Sequence, residues 1–347
     1  MDCLSLSGNP HLEGRGSGLS FEVRGRENLS SEIIRSKWFG FSASLVFLLL
    51  LLPLFVPRFY VYILALIFVT SLLAMSLNFV VGHGGLFQFH HGVFYGVGAY
   101  TLALMLKKTS LPMWAGFIAG PIMAAMIGLI IGWLCVRLSR LYFGMLQISL
   151  GSLIWVIVFR WYNFTGGDDG IPGIPVPSIL SPLNHSYYFI LIVLVLCLMA
   201  MYLILKSPFG STLQAIRDNP QRCEAIGINV RRHQLIAIVI ATFFAGVAGV
   251  LFVVLERSVF AELLYWVLSL EIFIMCLLGG WFTFAGPILG AAMMVALRTF
   301  VGIFTEYWTL ILGVVLILLI FFLPEGVMGY FQEMFKPRTG ASKGGKG

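Results

Sequence analysis

The sequence predicts an all-α polytopic membrane protein, and three observations predict it. Of 347 residues, 59% are hydrophobic and only 11% are charged, whereas a soluble domain carries about 25% charged residues. The mean hydropathy is +0.95. Apolar runs follow one another between residues 41 and 323, most of them near the roughly 20 residues that a helix needs to cross a bilayer. A water-facing surface cannot be built from this composition. The formal charge of +7 would suggest nucleic acid in a soluble protein. Here no nucleic acid is expected, because Lys and Arg concentrated in one set of loops account for it.

In chain order, residues 1–40 are polar, rich in Gly and Ser and balanced in charge. They are too long for the n-region of an ordinary signal peptide and are expected to form a mobile cytoplasmic tail. The membrane domain is expected over 41–335, followed by a basic cytoplasmic tail at 336–347. The expected spans are 41–57, 60–81, 91–106, 113–135, 143–160, 187–206, 235–256, 266–279, 286–302 and 307–323. Those at 91–106, 266–279 and 286–302 are short for a span. About ten spans put both termini on one side. Near the membrane, thirteen Lys and Arg fall on the side of the 206–234 loop and six on the other, so that loop and both termini are expected in the cytoplasm. The pair Lys107 and Lys108 dissents.

Glycine interrupts the apolar pattern twice, in GHGGLFQFHHGVFYGVGAY (Gly82 to Tyr100) and LGGWFTFAGPILGAA (Leu278 to Ala292). Each holds Gly-Gly, an aromatic–polar–aromatic triplet and a Gly-rich helix start. Short, Gly-broken segments at matching places in two halves mark a translocation site between repeats; close helix packing through small residues gives the same signature. The candidate pathway residues are Asn78, Gln88, His90, His91, Tyr100, Glu271, Gly279 and Gly280, since polar groups at membrane depth are costly without a role. Glu271 has a backbone donor or Arg298 as its candidate partners. Adjacent His90 and His91 point about 100° apart on a helix and lack the i,i+4 spacing of a metal pair, so no metal is expected.

Residues 161–186, WYNFTGGDDGIPGIPVPSILSPLNHS, contain no Lys or Arg and too much Gly and Pro for a helix. They are expected as an external loop. Gly166, Gly167, Asp168 and Asp169 either receive a soluble binding protein or build an ordered turn in which Asp accepts from backbone N–H groups.

Between two apolar runs, residues 206–234 turn polar. Leu213, Ile216, Pro220, Cys223 and Gly227 recur at three- and four-residue steps, giving a helical segment one apolar or small side. Asn219-Pro220 reads as an N-cap and first-turn proline, and Gly227 as a left-handed C-cap. A helix of about two turns follows, with arginines around it. Such an element lies on the membrane surface or docks into a partner's groove.

The string AIRDNPQRCEAIGINVRRHQLIAIVIATFFAGVAGVLF, with TGGDDGIPGI and GGLFQFHHGVFYGVGAYTLAL, resembles the permease subunits of branched-chain amino-acid ABC importers, closest to the M-type subunit. The resemblance runs from about Tyr60 to Met334. It departs at Phe87-Gln88-Phe89-His90-His91 and at Trp281-Phe282, where the family has small and polar residues. It implies an ABC-importer permease fold that moves branched-chain amino acids across the bacterial inner membrane, with urea or short amides as neighbouring substrates. It further implies that Arg217, Asp218, Asn219, Pro220, Arg222, Glu224, Ala225 and Gly227 couple the chain to an ATPase. The implied partners are a second, H-type permease subunit, ATP-binding cassette subunits, an extracytoplasmic solute-binding protein and membrane lipid. No G-x-x-x-x-G-K-[ST] loop is present, so the chain is read as a non-enzymatic transport subunit without a cofactor. A stand-alone ion-coupled transporter is the alternative, and the scarcity of buried carboxylates counts against it.

Overall fold

The computed structural model describes residues 48–109, 112–138, 140–177 and 179–304, together with isolated positions between 307 and 329. The expected terminal tails lie outside the described residues. Among those described, the chain is helical apart from turns and one antiparallel bridge between Ile171 and Val259. Two units separate at Pro57. In the first, described residues 48–55 form a helix, α1.

The second unit carries α2 (Arg58–Val81), α3 (Gly92–Lys108), α4 (Met113–Cys135), α5 (Arg140–Arg160) and the single turn α6 (Tyr162–Thr165). It continues with α7 (Leu183–Lys206), α8 (Pro208–Asp218), α9 (Pro220–Ala225) and α10 (Val230–Glu256). A 3-10 turn (Ala261–Leu264), α11 (Trp266–Gly279) and α12 (Gly286–Phe304) complete it. Six of these helices are long and apolar enough to cross a membrane: α2, α4, α5, α7, α10 and α12. α11 is apolar but has only 14 residues. Of the ten expected spans, the eight between 60 and 302 each coincide with a helix, while 41–57 and 307–323 fall partly outside the described residues.

Among those six, α2 and α10 are the most enclosed, and α10 shows why. A transmembrane pair gains little from burying Leu against Leu, because lipid is equally apolar; small residues that let backbones meet do the work. α4 places Gly116, Gly120, Ala124, Gly128 and Gly132 at strict four-residue steps, all buried. Along this stripe a Cβ on Gly128 would lie 2.2 Å from Thr242 Oγ1 of α10, and one on Gly120 would lie 2.4 Å from Val250. α3 joins the same seam: a Cβ on Gly98 would lie 2.5 Å from the Gly246 carbonyl oxygen, and one on Gly249 would lie 2.0 Å from that of Tyr95. The outward faces of α4 and α5 carry exposed Ile118, Ile122, Met126, Leu141, Met145 and Leu153, as lipid or an apolar partner requires.

The 24 residues of α7 rise about 36 Å at 1.5 Å per residue, so the 161–182 loop and the 206–229 segment occupy opposite ends of the molecule. At the loop end Ile171 and Val259 exchange hydrogen bonds of 2.8 and 3.1 Å, and Ile174 N donates to Arg257 O at 2.9 Å. The Tyr62 hydroxyl donates to the Glu256 carboxylate. The two lysines that dissent from the charge count are also held here. Lys107 Nζ donates to Pro172 O (3.2 Å), and Lys108 Nζ donates to the carbonyls of Asn163 (3.0 Å) and Phe164 (2.8 Å). Backbone carbonyls of the loop hold both ammonium groups.

Candidate functional site: a capped helix pair beneath two glycine breaks

The polar stretch forms two helices rather than the single short one expected. α8 has Pro208 in its first turn, where a missing N–H is tolerated. It ends at Asn219, whose extended backbone (φ −155°, ψ 96°) lets its Oδ1 accept from Arg222 N at 3.0 Å and start α9. That is the cap read from Asn219-Pro220. A second cap went unread: Asn229 Oδ1 accepts from Arg232 N at 3.1 Å and starts α10. Between them Gly227 adopts φ +88°, the left-handed conformation that glycine takes without strain.

One side of this element is anchored. Ile216, Cys223 and Val230 form a buried cluster with Ile228 packed against it, and Leu213 is fully buried. The ring of Phe209 stacks on His233, 5.8 Å between centroids, tying α8 to the first turn of α10. The other side is free: Asp218, Arg222, Glu224, Ala225, Ile226 and Gly227 are exposed. Ile226 is 76% exposed, an apolar knob at the tip of a polar hairpin. The alternation in Ala-Ile-Gly-Ile, with Ile226 out and Ile228 in, carried that signal.

Of the expected coupling residues, Arg217 departs from the outward set. Its Nη1 donates to the Gly82 carbonyl at 2.8 Å, and its guanidinium lies over the Phe282 ring at 5.4 Å. Its Nε and Nη2 both face Asp218 Oδ1 at 3.0 Å.

The expected pathway residues fall into five places. Asn78, Gly279 and Gly280 share one: Asn78 Nδ2 donates to Thr283 O at 3.3 Å, and a Cβ on Gly279 would lie 1.8 Å from the Gly286 carbonyl oxygen. Gly280 and Gly286 bracket a turn in which the Thr283 hydroxyl donates to Gly280 O (2.8 Å) and accepts from Gly286 N (3.1 Å). His91 immediately precedes α3, with no side-chain bond to the helix start, and meets Ser76 Oγ through Nε2 at 2.8 Å. Because the Ser76 hydroxyl donates to Leu73 O, that imidazole nitrogen is the donor to serine.

Gln88 and His90 occupy the third place, both buried in the 82–91 loop. The loop packs on α5: a Cβ on Gly151 would lie 2.5 Å from the His90 ring, and one on Gly144 would lie 2.7 Å from the Phe89 ring. Gln147 sits between those glycines on the same helical face and is buried. Gln88 Oε1 and Nε2, both ring nitrogens of His90 and Gln147 Oε1 have no hydrogen-bond partner. Buried polar groups are nearly always paired, so this neutral cluster has donor and acceptor capacity to spare. Tyr100 lies two turns further along α3, lining a cavity with Val97, Leu104, Ile157, Trp161 and Phe164. Glu271 lies two turns before Gly279 and pairs with Arg298 at 3.9 Å.

In the external loop Gly166 and Gly167 have φ of +81° and +59°. Asp169 accepts from the Tyr162 hydroxyl at 2.9 Å, and both Asp168 and Asp169 are exposed. Among the described residues no three His, Cys, Asp or Glu side chains gather as a metal ion would need.

Residues 59–320 match the family model described as branched-chain amino acid transport system / permease component. The chain belongs to that family. It is 28% identical over 331 residues to the high-affinity branched-chain amino acid transport system permease protein LivM of Escherichia coli (strain K12), covering 88% of this chain and 78% of that protein. The LivM protein of Salmonella typhimurium (strain LT2) is 27% identical over 319 residues, covering 84% and 75%. The LivH protein of the same Escherichia coli strain is 24% identical over 285 residues, covering 75% of this chain and 91% of that protein. No solved structure matches the chain. Two differently named permeases of one transport system thus resemble it, and the M-type match extends over more of its length.

Proposed function

We propose that this chain is a membrane-spanning permease subunit of an ATP-binding-cassette importer for branched-chain amino acids, energised by ATPase subunits on separate chains. One observation carries the reading: a family permease presents, at one end, a helix pair whose inner side is pinned by Ile216, Cys223 and Val230, with asparagine caps starting α9 and α10. Its outer side offers Arg222, Glu224 and Ile226 to a partner. A rim of charge around one apolar knob is how a small helix enters a groove.

In this reading the 206–234 end is cytoplasmic, about ten spans cross the inner membrane, and a paralogous H-type subunit completes the pathway. The 161–182 loop receives the soluble binding protein through Gly166, Gly167, Asp168 and Asp169. Closure of the ATPases pushes on α9 and tilts α7 and α10, which flank the hairpin, switching access from outside to inside. Neutral Gln88, His90 and Gln147 suit a zwitterionic or uncharged solute, since they offer hydrogen bonds without fixed charge.

Vesicles containing this chain with its neighbouring permease, ATPases and binding protein supply the test. ATP-dependent leucine uptake is expected, lost in Glu224→Ala/Ile226→Glu together with the bound ATPase subunits. Wild-type uptake and ATPase binding in that variant would sink the docking role. Uptake by the isolated chain on an ion gradient, or of urea in preference to leucine, would replace the reading. Cys223 is buried, so a cysteine at Ile226 is the reporter of sidedness; labelling from outside intact cells would invert the topology.

A further inference from the structure

We infer that Arg217 is a positioning residue that ties the helix hairpin to both glycine breaks, so that a push on α8 and α9 reaches the two breaks together. This inference rests on the importer reading above. Three segments remote in sequence meet at one side chain. The guanidinium donates to the Gly82 carbonyl at 2.8 Å and covers the Phe282 ring at 5.4 Å. Gly82 itself touches the second break, because a Cβ there would lie 2.1 Å from the Trp281 carbonyl oxygen. Beside it Gly85, at φ +67°, leaves the space in which the Arg217 stem lies: a Cβ would come 2.6 Å from Arg217 Cγ and 3.2 Å from its Cα. α8 therefore bears directly on the first break through the stem and Cα of Arg217.

The chemistry suits a strut better than an outward contact. Only 28% of the Arg217 side chain is exposed, against 67% for Asp218, so the carboxylate stays wet and neutralises a guanidinium that faces inward. A planar fork can donate to a carbonyl in its own plane while its flat face lies against an aromatic ring; a lysine ammonium is a point charge with no such face. A shift of α8 by about 1 Å would carry the 2.8 Å contact past hydrogen-bonding range unless the break moved with it. Trp281-Phe282, where the chain departs from its family's pattern, supplies the ring.

The decisive experiment compares wild type, Arg217→Ala, Arg217→Lys, Phe282→Leu and Glu224→Ala/Ile226→Glu in the complete complex in vesicles. Co-purified ATPase, melting temperature and leucine transported per ATP hydrolysed are read for each. Arg217→Ala is expected to keep its ATPase subunits while leucine per ATP falls about tenfold, within the usual range of coupling between sites. Phe282→Leu falls less, Arg217→Lys lies between Arg217→Ala and wild type, and Arg217→Ala/Phe282→Leu is no worse than Arg217→Ala. Wild-type leucine per ATP in Arg217→Ala, or loss of its ATPase subunits as in Glu224→Ala/Ile226→Glu, would overturn the inference. Should Arg217→Ala not assemble, Phe282→Leu decides, and wild-type coupling there is equally fatal. Absence of ATP-driven uptake in wild type would instead remove the importer reading, and this inference with it.

Discussion

The two glycine breaks share a sequence pattern and differ in what they do with it. After α11, residues 280–285 fold into a six-residue turn that satisfies itself: Thr283 bonds both Gly280 and Gly286. Backbones there meet so closely that Gly279, Gly286 and Gly290 each exclude a Cβ. After α2, residues 82–91 form a longer loop that leaves polar atoms of Gln88 and His90 buried and unpaired. One break is thus a packing device, and the other keeps unspent hydrogen-bonding capacity in its buried interior. Glycine patterning alone marks both, so the difference lies in the residues between the glycines.

The largest effect should come from filling the compact break. In Gly279→Ala the new methyl would stand 1.8 Å from the Gly286 carbonyl; overpacking costs about 1–3 kcal/mol and more when backbone must move. Loss of monodisperse protein on detergent extraction is expected, and a soluble, transport-competent Gly279→Ala would erase the contrast between the breaks. In the open break the order reverses. Gln88→Leu and His90→Leu remove unpaired polar groups whose burial costs about 1–3 kcal/mol each. Thermal stability in detergent should hold or rise while leucine uptake falls about tenfold, as for polar pathway groups. Unchanged uptake with raised stability would reduce both residues to structural liabilities.

A smaller effect sharpens the same contrast. Thr283→Val should destabilise by about 1 kcal/mol through loss of a helix-start cap, and Thr283→Ser should restore it, with leucine per ATP unchanged in both. A change in leucine per ATP beyond the stability loss would give the compact break a role in transport as well.

What was legible in the sequence was mostly local. The Asn219-Pro220 cap, the left-handed Gly227 and the inward residues Ile216 and Cys223 follow from offsets of a few residues, and each was readable. The strict four-residue stripe from Gly116 to Gly132 was equally local, yet it drew no notice beside the louder Gly-Gly motifs. Arg217 is the opposite case. Counted among arginines around a docking helix, it turns inward because its acceptor, Gly82, lies 135 residues away, beyond any periodicity. Lys107 and Lys108 disturbed the charge asymmetry for a similar reason. The carbonyls that hold them belong to a loop more than 50 residues later, and a count of basic residues cannot see acceptors. Ten spans were expected from runs of apolar residues, whereas among the described residues six helices meet the length and hydropathy of a crossing: α3 and α11, which the breaks flank, are too short, and 41–57 and 307–323 fall partly outside the described residues.

The smallest effect concerns His83, which follows Gly82 in the open break. Burial holds its pKa below the usual 6.5; the Asn78 carbonyl opposes the shift and nearby Arg217 reinforces it. The sign follows from linkage. With a lower pKa folded than unfolded, the folded chain binds fewer protons below 6.5, so stability falls as pH drops through that value and levels off below the folded pKa. Melting between about pH 7.5 and about pH 5.5 should therefore show a decline that His83→Gln flattens. Arg217→Ala should flatten it in part, since removing the guanidinium lets His83 protonate more readily. The other break has no histidine between Gly279 and Gly286, so a pH dependence that survives His83→Gln unchanged would have to arise elsewhere and would separate the open break from the proton altogether.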